Sequence, residues 1–198
     1  MAPAEVAKRL NEFLSSEPKD IIVQIPAGSG ICSIANTVPS NWVTGFTSNR
    51  PGRWNKSGQP TKYFGEALQL CAAELFGTDA SKLDDVVCER WRTTGTISAF
   101  NISKFPHDLQ TAFYEDKGQA PAKWTKPHLF VDSAAANGAY SGVQCIYAPS
   151  ASGKALGIDG CVFAADPKEQ PLQLIETGKY SQMIQPNEPG SAEQKEGM

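Results

Sequence analysis

Histidine is nearly absent from this chain: there are two, His107 and His128. A metal centre built on several imidazoles is therefore excluded, and a Ser-His-Asp triad would have to draw on one of these two residues. No G-x-S-x-G elbow is present to carry such a triad. An excess of one charge is lacking as well. Lys and Arg number 18 against 21 Asp and Glu, a net charge of -3, and the basic residues are scattered singly. That is no footprint for nucleic acid. The five cysteines, Cys32, Cys71, Cys88, Cys145 and Cys161, are odd in number, sit far apart and form no C-x-x-C pair, so neither a disulfide framework nor a zinc site is signalled and they read as mostly buried, reduced thiols. No apolar run approaches the roughly 20 residues of a membrane span. The first sixteen residues lack the unbroken apolar core and basic start of a secretory signal. The expectation is a cytoplasmic protein that binds neither nucleic acid nor membrane, unless a dedicated machine delivers it into a target cell without a cleaved signal.

What is present fits one domain. With 198 residues, 40% apolar and 20% charged, the chain can close a single sizeable core. Val6, Leu10, Phe13 and Leu14 repeat at helical spacing and predict an N-terminal helical extension over residues 1–20. The main domain spans 21–180. A flexible polar tail is expected over 181–198, where the sequence from Gln185 offers almost nothing to bury.

Within the main domain, the β-branched run 20–25 reads as a strand stopped by Pro26 and Gly28. Residues 36–62 read as a long loop whose Trp42, Phe46 and Trp54 argue against disorder. A strand over 61–64 leads to a helix over 65–76 closed by Gly77, with Glu74 on the flank of its apolar stripe, looking into a cleft edge. Runs 85–91 and 96–102 around Thr94-Gly95 predict a β-hairpin. Helices over 106–117 and 126–139 and strands over 143–147, 160–164 and 171–176 follow. Strands and helices mix without strict alternation, which favours α+β.

Several short matches carry nothing. Ser152-Gly153-Lys154 resembles the end of a phosphate loop, but Ala148 stands where the first glycine belongs and Ala155 where a Ser or Thr belongs. Asn55-Lys56-Ser57 and Asn101-Ile102-Ser103 fit the glycosylation pattern in a chain with no sign of secretion.

One constellation remains. Gly52-Arg53-Trp54-Asn55-Lys56-Ser57-Gly58 is followed by Tyr63-Phe64, by Ala67-Leu68 and by Ala73-Glu74, and far downstream by Tyr147-Ala148-Pro149-Ser150 with Cys161-Val162-Phe163 beyond it. In order and spacing, over roughly residues 21 to 177, this resembles the RES domain, named for an Arg, a Glu and a Ser. The resemblance implies an ADP-ribosyltransferase-like α+β fold and an enzyme that degrades NAD as the toxin of a toxin–antitoxin pair. NAD is then substrate, with no cofactor and no metal, and a separate antitoxin or immunity protein is the expected partner. A homo-oligomer stays open. At Ile31-Cys32-Ser33-Ile34 the chain departs from the family, which carries an Arg where Ser33 stands.

The chemistry explains why such residue types are needed. Cleaving nicotinamide from ribose passes through an oxocarbenium-like state, and cationic nicotinamide leaves as a neutral amide without an acid. One carboxylate beside the ribose can suffice, because it stabilises charge that develops only in the transition state. Glu74 is the candidate. Arg53 offers a planar fork for a phosphate oxygen pair, Tyr63 a flat face for nicotinamide, and Ser150 a hydrogen bond to ribose or amide. Trp54 and Asn55 complete the NAD-binding set, although their residue types by themselves read as packing and loop hydrogen bonding. Three functions stay open on this reading: NAD glycohydrolase or phosphorylase, ADP-ribosyltransferase acting on a protein, and a non-catalytic NAD-binding protein.

Overall fold

The structure, a computed structural model, describes residues 1–35, 52–76, 83, 86–116, 125–150, 157–163 and 171–184. Its order is α1 (Pro3–Ser15), β1 (Ile22–Ile25), β2 (Gly30–Ala35), β3 (Thr61–Gly65), α2 (Leu68–Phe76), β4 (Val87–Thr93), β5 (Ile97–Asn101), α3 (His107–Glu115), α4 (Thr125–Ala136), β6 (Cys145–Pro149), β7 (Ile158–Phe163), β8 (Leu172–Lys179) and α5 (Tyr180–Met183). The eight strands form one mixed sheet in the order β1-β5-β6-β7-β3-β2-β4-β8. Among the described residues β5 and β6 are the parallel pair, and their connection carries α3 and α4, as a parallel crossover requires. This is an α+β architecture.

The strands alternate their side chains between two cores. On one face Phe100, Ile146 and Cys161 pack with Val6, Leu10 and Leu14 of α1, with Leu109 and Phe113 of α3 and with Phe130 of α4. On the other face Ala99, Cys145 and Val162 meet Ile31, Phe64, Trp91 and Leu172, with Val23 and Ile25 of β1 beside them. Edge strands β1 and β8 thus share one core built from strands alone, so the sheet curls until its two ends face each other. A third cluster seats Leu68 and Ala72 of α2 on Cys88, with Tyr180 and Met183 of α5.

This curl overturns the expected hairpin. β4 pairs with β2 and β8, whereas β5 pairs with β1 and β6. Thr94-Gly95 turns the chain from one half of the curled sheet into the other, and the Thr94 N–H donates to Pro171 O at 2.9 Å. Both strands already have neighbours on each side, which a turn signal read from sequence cannot reveal. Helix α2 begins at Leu68, three residues later than the sequence suggested, because β3 continues to Gly65, paired with Asp159 and Cys32. Helix α1 is no appendage: Val6, Leu10 and Leu14 are fully buried. At the other end Met183 is buried too, so the chain is packed two residues into the expected tail of 181–198, and the rest of that tail, from 185, lies outside the described residues. Most of the predicted loop, 36–51, also lies outside them. All five cysteines are free thiols, four buried and Cys32 half-buried. No helix among the described residues is long and apolar enough to cross a membrane.

Candidate active site

Among the described residues β2 and β3 are joined at one pair, Cys32 with Gly65, and part beyond it. A cavity of about 250 Å³ opens at the divergence, walled by Ser33 and Ile34 of β2, Tyr63 and Phe64 of β3, Glu74 of α2, Asp159 of β7, and Arg53 and Trp54. Side chains bridge the gap between the strands. The buried Glu89 carboxylate accepts from Ser33 Oγ at 2.7 Å, from Trp91 Nε1 at 3.0 Å and from Lys62 Nζ, so β2, β3 and β4 are tied together behind the cavity. Burial lowers the Lys62 pKa while Glu89 holds it up.

The Gly52–Asn55 loop is fixed by its own polar groups. Asn55 Oδ1 accepts from Gly52 N–H and from the Tyr63 hydroxyl, both at 2.9 Å, and that hydroxyl accepts from Trp54 N–H at 2.7 Å. Only glycine fits at 52, since a Cβ there would collide with Asn55 Oδ1 and the Tyr63 ring. His128 Nε2 lies 2.9 Å from Gly52 O and pins the loop to α4. Trp54 is buried and packs 5.7 Å from Tyr63 and 5.5 Å from Phe113, centroid to centroid.

Arg53 leaves this anchored loop toward the cavity. Its Nη2 donates to Tyr114 O at 3.1 Å, and its guanidinium carbon sits 5.6 Å from the Tyr114 ring centre. Its Nε is buried without a hydrogen-bond partner among the described residues. A buried donor left unmatched is costly unless a ligand meets it, and a phosphate oxygen would do so. Burial pulls the Arg53 pKa down, opposed by Tyr114 and then by the Glu74 carboxylate; an arginine nonetheless stays charged. Tyr63 keeps 37% of its surface open while its hydroxyl is sunk in the loop, and that burial raises its pKa. What it offers the cavity is a ring face.

Glu74 and Ser150 meet from opposite sides of the fold, with Ser150 Oγ donating to Glu74 Oε1. The Ser150 N–H donates to Gly157 O at 3.1 Å, which fixes the residue just beyond β6. Of the six residues singled out from sequence, Arg53, Trp54, Tyr63 and Glu74 line the cavity, Ser150 touches Glu74, and Asn55 holds the loop from behind. Asp159 was not foreseen. It lies one residue before the predicted strand over 160–164, and its alternation with Cys161 would have put it on the same face as that buried thiol. Burial, the nearby Glu74 carboxylate and a hydrogen bond to it push the Asp159 carboxyl up to about 7. Tyr114 and His128 were also missed, because their parts depend on contacts across the sequence. Among the described residues no cluster of three His, Cys, Asp or Glu side chains is placed to hold a metal ion.

The RES domain family profile matches residues 37–180, most of the chain, so the protein belongs to the RES domain family. Among solved structures it is similar to a chain in the crystal structure of the M. tuberculosis MbcT-MbcA toxin-antitoxin complex. The TM-score is 0.57 at 15% identity, covering 86% of this chain and 91% of that one. A search of curated proteins returns no significant match.

Proposed function

We propose that the protein is an NAD-degrading toxin that breaks the bond between nicotinamide and ribose. The observation that carries this reading is the convergence of Arg53, Tyr63 and Glu74 on one cavity, with Ser150 bonded to Glu74. The cavity is smaller than the roughly 300–1,000 Å³ of typical ligand sites, a size suited to the nicotinamide riboside end of the dinucleotide. In this pose Tyr63 stacks on the nicotinamide ring, and Arg53 meets the phosphate nearest it through its fork and orphan Nε. As the C–N bond breaks, its electron pair moves to the pyridinium nitrogen, and positive charge gathers at the ribose carbon beside Glu74. Low local dielectric makes that carboxylate effective there. Water or phosphate then adds its oxygen to the ribose carbon and gives up a proton. Ser33 turns its hydroxyl to Glu89 instead of supplying a cation, so among the described residues the pyrophosphate grip rests on Arg53.

A toxin of this kind needs an inhibitor, and the similar structure is titled as a toxin-antitoxin complex; a separate antitoxin is the proposed partner, in the cytoplasm. Chromatography of NAD incubated with purified protein tests the reading. Free nicotinamide is expected, beside ADP-ribose in plain buffer or its 1-phosphate when phosphate is the acceptor. Intact NAD after prolonged incubation would rule the activity out. Label transferred from NAD to macromolecules of a lysate, without free ADP-ribose, would move the assignment to ADP-ribosyl transfer.

A further inference from the structure

Asp159 places a second carboxyl in the cavity, and its position is set by backbone that cannot easily yield. β7 is an interior strand, and Asp159 pairs with Gly65 on one side and Ala148 on the other. Gly65 makes the room: a Cβ there would stand 3.2 Å from Asp159 Oδ1 and 2.9 Å from Cys71 Sγ. Two acids sharing a partly dry cavity cannot both ionise cheaply, so the pair keeps one proton into the neutral range. We propose that Asp159 is a positioning residue for Glu74: carrying the proton that the two carboxyls share, it donates to Glu74 and holds that carboxylate, charged, against the ribose site. The inference rests on the NAD-cleaving reading for its consequence, not for the pairing itself.

Among the described residues, the groups facing the pair come from several neighbouring elements. Glu74 and Cys71 belong to α2, Glu66 to the turn before it, Tyr114 to α3, and Arg53 to the anchored loop. Ser150 adds its hydroxyl to Glu74, and Tyr147 ties down Glu66. Burial pushes both the Cys71 thiol and the Tyr114 phenol up to about 12, so neither changes charge between pH 5 and 8. The Asp159 carboxyl, at about 7, does. Above that pH the two carboxylates repel, Glu74 loses the hydrogen bond from Asp159, and the cavity gains a negative charge that opposes an anionic dinucleotide.

The test is the pH profile of kcat/KM for NAD cleavage by wild type and Asp159→Asn. Wild type is expected to lose about tenfold per pH unit above a break near 7. The variant, whose amide donates without titrating, should be several-fold slower at pH 6 and show no such break. A break retained in Asp159→Asn overturns the proposal. Melting temperatures from pH 5 to 8 give an answer that does not depend on turnover. A carboxyl at about 7 in the folded chain and near 4 in the unfolded one binds more proton when folded, so its stabilisation is present at low pH and lost as pH rises through 7. The wild-type minus variant difference should therefore shrink between pH 5 and 8, and a constant difference overturns the pairing. Wild type that releases no nicotinamide at any pH would sink the NAD reading while the melting curves still decide on Asp159.

Discussion

At the scale of single residues, the cavity wall divides into groups that meet a ligand and groups that hold them. On the proposed function Arg53 is of the first kind, and its value lies in its shape. A lysine keeps the charge but has no planar fork and no Nε to satisfy the buried position. Arg53→Lys should lower kcat/KM by roughly 10- to 100-fold, the size of a lost charge-assisted hydrogen bond of about 1.5–3 kcal/mol, with KM taking most of the change. A KM within twofold of wild type would show that Arg53 does not hold the substrate. Arg53, Tyr63, Glu74 and Ser150 were legible in the sequence because their order and spacing resemble the family pattern. Asp159 was not, since one aspartate before a glycine in a β-rich run says nothing until Gly65 and Glu74 are known to face it.

At the scale of elements, the site depends on β2 and β3 parting beyond the Cys32–Gly65 pair. The Lys62–Glu89 ion pair, both side chains buried, ties β3 to β4 across that gap, and Ser33 and Trp91 add donors to the same carboxylate. Lys62→Met would leave the buried Glu89 short of its cation, at a cost of about 3–5 kcal/mol in urea unfolding. A loss below 1 kcal/mol would mean that the pair contributes little to holding the cleft. Sequence patterns located most elements to within a few residues, but they paired β4 with β5 wrongly. The Thr94-Gly95 signal marks a change of direction, and only the curl of the sheet decides whether the chain returns beside itself or enters the opposite half.

At the scale of the molecule, one curled sheet with α1, α3 and α4 on one face positions everything. α1 lies outside the segment from 21 to 180 that the sequence marked as the main domain, yet three of its side chains are fully buried against α3 and α4. Leu10→Ala should cost about 2–5 kcal/mol of stability by calorimetry, as expected for a buried cavity; a change under 0.5 kcal/mol would make α1 a detachable extension. The proposed function turns on Glu74 stabilising positive charge at the ribose carbon of NAD. Its most direct test is the rate of nicotinamide release at saturating NAD by wild type and by Glu74→Gln, a substitution that keeps size and removes charge. A fall of roughly 100-fold or more is expected with binding of NAD retained, the loss typical of a preorganised electrostatic group. Equal rates for the two proteins would contradict it.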